Sequence, residues 1–218
     1  MQVVLASQNA NKLRELGLIL AKANIELHNQ NAYNIESIDE TGLTFVENAL
    51  LKARHVSHES GLPAIADDSG LVVNALDGAP GIYSARYAAR SAGTAKSADP
   101  APPETLTHET LTTETTDAAN NRALLSALAD HQDRSAYFFC ALVYMRHAND
   151  PCPLIATAAW HGQVLSEPQG SSGFGYDPVF YLPDRKLTAA QLDPVVKNQI
   201  SHRGQAAAIL CQALQKTS

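Results

Sequence analysis

The run Asp67-Asp68-Ser69-Gly70 sets two carboxylates side by side and follows them with a hydroxyl and a glycine. Pro63 to Ala66 before it and Leu71 to Val73 after it are largely apolar and read as strands, so the acidic pair is expected in a turn at or just beyond a strand end. Adjacent like charges disfavour one another's ionisation unless a cation or a proton separates them, which points to water or a metal nearby. Asp, Ser and Gly are also ordinary turn residues, and on its own the segment reads more readily as a plain turn.

The company it keeps changes the balance. Ser7-Gln8-Asn9-Ala10-Asn11 is a polar loop behind the apolar Val3 to Ala6, and Lys12 follows it directly. Leu13, Leu16, Ile19 and Leu20 then recur at helical spacing, so the loop joins a strand's carboxyl end to a helix N-terminus, a ready anion site. Thr44-Phe45-Val46-Glu47 fits a capping box. The helix it starts carries Val46, Ala49, Leu50, Ala53 and Val56 on one face and Asn48 and Lys52 on another. A lysine on such a stripe is ordinarily solvated. Glu40 and Glu47 are within reach of the acidic pair by topology. Gly170 to Pro178 is a glycine-rich loop containing Phe174, and Lys197 to Gly204 supplies Lys197, His202 and Arg203. His202 alone is more often structural; beside Lys197 and Arg203 it reads as a ligand contact.

Together these segments offer cations for phosphates, carboxylates for a hard metal and an aromatic ring for a base. Mg²⁺ prefers oxygen ligands and keeps waters while it binds phosphate. A carboxylate beside it can activate water for attack on phosphorus. Phosphoryl or nucleotidyl transfer is mostly positioning and charge neutralisation, and the chain has the groups for both. The sequence lacks G-x-x-x-x-G-K-[ST], H-E-x-x-H and the dinucleotide glycine spacing. His55 and His58 lie three apart without a third ligand and read as surface histidines of a helix.

The elements that must position these groups fit an α/β chain spanning 1–218, either one large domain with a long mixed sheet or two small lobes around a cleft, with strands, helices and hairpins in mixed order. A strand is expected at Tyr137 to Tyr144, its antiparallel partner at Leu154 to Val164, and a further strand at Val179 to Tyr181. A last helix is expected from about Ser201 to Gln215, turning Ala206, Ile209, Leu210, Ala213 and Leu214 inward. Residues 91–121 are rich in proline and threonine and poor in large apolar groups, so they read as a flexible excursion, with a helix resuming near Ala118 on Leu124, Leu125 and Leu128. A net charge of -6 argues against non-specific nucleic-acid binding. The three cysteines form no C-x-x-C pair, and no apolar run reaches the length of a signal or a membrane span, so a reducing cytoplasmic setting is expected.

Six segments in this order resemble the inosine triphosphate pyrophosphatases. They are Ala6 to Lys12, Thr41 to Ala49 with Lys52 and Ala53, Ala66 to Leu71, Gly78 to Arg86, Gly173 to Pro178 and Ser201 to Arg203. The likeness spans nearly the whole chain and implies an α/β fold of two lobes on a long mixed central sheet, flanking an active-site cleft. It implies a homodimer and Mg²⁺-dependent hydrolysis of inosine, deoxyinosine and xanthosine triphosphates to monophosphate and pyrophosphate. By the same resemblance Asp68 is the general base, Glu40 and Asp68 hold Mg²⁺, and Glu47 and Asp67 assist. Ser7, Gln8, Asn9, Lys12 and Lys52 take the triphosphate, with Ser69 in contact. Phe174, Gly175, Tyr176 and Asp177 hold the nucleoside, and Lys197, His202 and Arg203 read the purine's 6-keto edge. The family usually has glycine where this chain has Gln8, and a side chain there alters the loop. A nucleotide pyrophosphatase of another base preference and a nucleotide-binding regulator without turnover are the competing readings.

Overall fold

The computed structural model describes residues 1–93 and 113–217. Strand β1 (Gln2–Leu5) pairs in parallel with β2 (Glu26–Asn29) on one side and with β3 (Ala64–Val73) on the other. The remaining strands are β4 (Ser135–Met145), β5 (Leu154–Val164), β6 (Phe180–Leu182) and β7 (Leu187–Thr188). The seven strands run in the order β2-β1-β3-β4-β5-β6-β7, with β6 antiparallel to both β5 and β7, so the sheet is mixed as expected. The helices are α1 (Ala10–Leu20), α2 (Phe45–Ser60), α3 (Tyr87–Gly93), α4 (Thr113–Ala127), α5 (Pro194–Ile200) and α6 (His202–Thr217). Contacts divide the chain into two compact units, one of residues 1–69, 138–160 and 193–218, the other of 70–137 and 161–192. No helix among the described residues is long and apolar enough to cross a membrane.

In the first unit the period of two along the strands sorts the core into two layers. Val3 and Leu5 join Ile65, Cys140 and Leu142 against α1 and α6, through Leu16, Leu20, Ala206, Ala207 and Leu210. Val4 and Ala6 join Ala64, Ala66, Ala141 and Val143 against α2, through Ala49, Ala53 and Val56. Leu16 and Leu20 are wholly buried, and each such leucine contributes roughly 2 kcal/mol of transfer free energy. The predicted capping box forms: Thr44 accepts from the Glu47 N–H, and the Glu47 carboxylate accepts from Thr44 N at 2.8 Å.

In the second unit Ser84 links two segments, since its hydroxyl accepts from Leu71 N at 2.9 Å and its carbonyl accepts from the Tyr176 hydroxyl at 2.9 Å. Arg134 ties α4 to the end of β5 by donating to the carbonyls of Leu128, Val164 and Leu165. Buried Asn120 accepts from Ala88 N and donates to the Ala85 carbonyl.

Several expectations are corrected. The strand–turn–strand reading of residues 63–73 is replaced by the single strand β3, which carries Asp67 to Gly70 in its middle. α4 starts at Thr113 and not near Ala118, so 113–121 is helical; residues 91–93 belong to α3, and the rest of the expected excursion, 94–112, lies outside the described residues. α5 was not anticipated, although Asp193 before Pro194 is a clear start signal: its side chain accepts from Val195 N and Val196 N. Ile209 is 46% exposed, and Ala207 takes the inward position.

Candidate functional site

Because β3 is continuous, its pleat sends neighbouring side chains to opposite faces. Asp67 follows Ile65 toward α1 and α6, and Asp68 follows Ala66 toward α2. The two carboxylates therefore meet separate sets of cations, which is how an unbroken strand holds both.

Asp67 is fully buried in a closed cluster. It pairs with Lys12 of α1 and with Arg203 Nε of α6 at 3.1 Å, and accepts from the Ser69 hydroxyl at 3.3 Å and the Cys140 thiol at 3.3 Å. Burial alone would raise its pKa, but Lys12 and Arg203 outweigh that and hold the carboxyl well below the usual range. Arg203 in turn donates through Nη1 to Glu15 at 2.7 Å and through Nη2 to the Ser69 hydroxyl at 3.0 Å. Burial, then the Asp67 charge, pushes the Cys140 thiol up, so it stays protonated.

Asp68 belongs to a more open group. Lys52 Nζ lies 2.7 Å from Glu40 Oε1, 2.7 Å from Asp68 Oδ1 and 2.9 Å from the Asp67 carbonyl. Burial pushes Asp68 up to about 6, with Lys52 partly offsetting it. Burial opposes the charge on Lys52, and Asp68 and Glu40 reverse that and raise its pKa. Asp68 Oδ2 is buried with no hydrogen-bond partner among the described residues. Lys52 thus departs from the solvated reading of its stripe, because α2 packs that face toward β3.

Glu40 and Lys52 of this group line a cavity of about 170 Å³ together with Ser7, Gln8, Lys12, His55 and Asp67, among others. Asn9 caps α1, its side chain accepting from Asn11 N and Lys12 N, while Ser7 Oγ accepts from Asn9 N at 3.1 Å. Gln8 is exposed in that loop. His58 is exposed as expected, but His55 is half-buried and its Nε2 lies 2.9 Å from the Glu36 carbonyl. Glu47, expected to assist a metal, instead caps α2 with Oε2 on Leu43 N, Thr44 N and the Thr44 hydroxyl. Asp67 is likewise taken up by its cations.

Lys197 and His202 are both buried in the first unit. The His202 ring stacks on Phe138 at 4.8 Å between centroids and lies 6.3 Å from Trp160. Burial, reinforced by Arg203, lowers its pKa well below the ordinary value and keeps it neutral. Its Nδ1 has no partner among the described residues.

The second unit holds the glycine loop. Phe174 N donates to Asp177 Oδ2 at 2.9 Å, and Gly175 N donates to Asp117 Oδ2 at 2.7 Å. Gly173 has φ +82°, and a Cβ there would fall 2.1 Å from Asp177 Oδ2, so the loop closes this tightly only around glycine. Burial raises the Tyr176 hydroxyl far above its ordinary pKa, so it acts as a neutral donor.

Sequence reasoning missed Glu15, Cys140, Asp117 and Asn121. Cys140 and Glu15 become visible only once a strand and a helix are laid on Asp67, and Asp117 sat in a segment read as structureless.

The donor set fits a hard cation of the Mg²⁺ kind: Glu40 and Asp68 bring carboxylate oxygens to one ammonium, and one Asp68 oxygen is unsatisfied. That suits an ion bound by one or two carboxylates plus substrate phosphates.

A model of the Ham1 family matches residues 3–213. A dITP/XTP pyrophosphatase of Thioalkalivibrio sulfidiphilus is 47% identical over 99% of both chains. A dITP/XTP pyrophosphatase of Bordetella pertussis is 50% identical over 99% of this chain and 92% of its own. A solved Ham1 protein from Coxiella burnetii superposes with a TM-score of 0.82 at 44% identity over 99% of both chains.

Proposed function

We propose, since this chain belongs to the Ham1 family, that it is a Mg²⁺-dependent pyrophosphatase acting on deoxyinosine, inosine and xanthosine triphosphates. The observation that carries the reading is the Glu40–Lys52–Asp68 group, with its unsatisfied Asp68 oxygen, beside the cavity that Ser7, Gln8 and Lys12 line.

The chain's own groups suffice to order the reaction. Ser7, Gln8, Asn9 and Lys12 bind the triphosphate at the start of α1, where helix and lysine both favour anions. Lys52 neutralises the phosphates beside Asp68. Asp68 takes a proton from water as that water's oxygen bonds to the α-phosphorus; the α–β anhydride breaks and pyrophosphate leaves. Its pKa of about 6 is suited to a base working near neutrality. Glu40 and Asp68 would hold Mg²⁺, which supplies charge neutralisation on the phosphate oxygens.

Phe174, Gly175, Tyr176 and Asp177 hold the nucleoside, with Phe174 against the base. Lys197, His202 and Arg203 favour the 6-keto purines, and Ser69 supports them through its bond to Arg203. A guanidinium donates only, so it suits a keto oxygen and leaves adenine's amino group unpaired. A cytoplasmic setting is in keeping with its free cysteines, and the family resemblance adds a homodimer.

Pyrophosphate release from inosine, xanthosine, guanosine and adenosine triphosphates, with and without Mg²⁺, tests the reading. Release from the inosine and xanthosine nucleotides, lost without metal, is expected; release from none of them overturns it.

A further inference from the structure

The glycine loop of the second unit is gripped from outside itself. Gly175 has φ +62°, and its N–H and C=O belong to the peptide groups on either side of its Cα. The N–H donates to Asp117 Oδ2 at 2.7 Å and the C=O accepts from Asn121 Nδ2 at 2.9 Å. Asp117 and Asn121 are four apart on α4 and share one face of it. The bond to Asp117 is charge-assisted and short, the stronger class of hydrogen bond. On the inner side Asp177 Oδ2 accepts from Phe174 N, and the Tyr176 hydroxyl donates to the Ser84 carbonyl. Gly175 is the pivot between these two anchors. A glycine in the left-handed region has no side chain to fix it, so its direction is set by what holds its peptide groups.

We propose that Asp117 and Asn121 are positioning residues for the nucleoside, fixing Gly175 and through it Phe174 without touching the substrate. The inference rests on the assignment of this loop to the nucleoside under the proposed function. The orientation of the Asn121 amide follows from the carbonyl it serves, since its Oδ1 has no partner among the described residues while its nitrogen does. Loss of either grip frees the loop but leaves the phosphate-binding groups of α1 and α2 as they are. The expected signature is a loss of nucleotide affinity that a ligand lacking a base does not share.

The test compares the unaltered chain with Asp117→Ala, Asp117→Asn and Asn121→Ala. KM for inosine triphosphate should rise about tenfold in Asp117→Ala, and about threefold in Asp117→Asn, which keeps an acceptor, and in Asn121→Ala, with kcat within about twofold. The inhibition constant of inorganic tripolyphosphate should not move. Hydrogen exchange at the Gly175 amide should quicken about tenfold or more in Asp117→Ala, a readout independent of turnover. An unmoved KM, or KM and the tripolyphosphate constant rising together, overturns the proposal while the functional reading stands. If the unaltered chain releases no pyrophosphate, the functional reading falls and takes the proposal with it.

Discussion

The two faces of β3 solve the same electrostatic problem in opposite ways. On one, Asp67 is buried among Lys12, Arg203, Ser69 and Cys140, and its charge is matched by two cations. On the other, Asp68 shares one lysine with Glu40 and keeps an oxygen unsatisfied. A buried ion pair with every partner in place resists change, and one left short of partners is ready to accept a proton or a cation. The contrast separates a carboxylate that holds the structure from one that does chemistry, although the two are neighbours in the chain.

The sharpest way to break this contrast is Asp68→Asn. Turnover should fall by about three orders of magnitude or more while the melting temperature stays within a few degrees, measured by pyrophosphate release and thermal circular dichroism. Asp67→Ala should act chiefly on stability: it leaves buried Arg203 without its carboxylate and should cost about 3–5 kcal/mol in denaturant unfolding at neutral pH.

The pH responses should diverge as well. Asp67 is held below its unfolded value near ~3.9, so its stabilising contribution is complete above that pH and is lost as pH falls through the folded value. Asp68 is raised to about 6 and works as a base only when ionised. Below that pH kcat/KM should drop about tenfold per unit, well before the acid unfolding that loss of the Asp67 pairing brings. A pH–rate profile beside a pH–stability profile checks the separation. The smallest expected effect is that of Cys140→Ser, which keeps a donor near Asp67. It should change stability by no more than about 1 kcal/mol and leave kcat unchanged.

Much of this was legible in the sequence. The strand–loop–helix opening, the capping box at Thr44 and the final helix follow from periodicity and residue type, whereas Lys52 on its stripe reads as solvated. The family resemblance extended that to the α/β fold and the activity, and the family match bears them out. The error at residues 63–73 came from reading charge and glycine as punctuation. Once each aspartate has its own cations, a strand carries both without a turn. The half-buried state of His55 depends on how α2 lies over its neighbours. The grip of Asp117 and Asn121 on Gly175 joins residues more than fifty positions apart and has no local signal.

The alternation along β3 has a consequence for how this segment can vary. Asp67 and Asp68 are the same amino acid, so nothing in their chemistry says which is the anchor and which the base; only phase does. Removing or adding one residue between Ile65 and Asp67 would leave the composition of the strand almost untouched and exchange the duties of its two acids. The segment therefore depends on the count of its residues as much as on their letters.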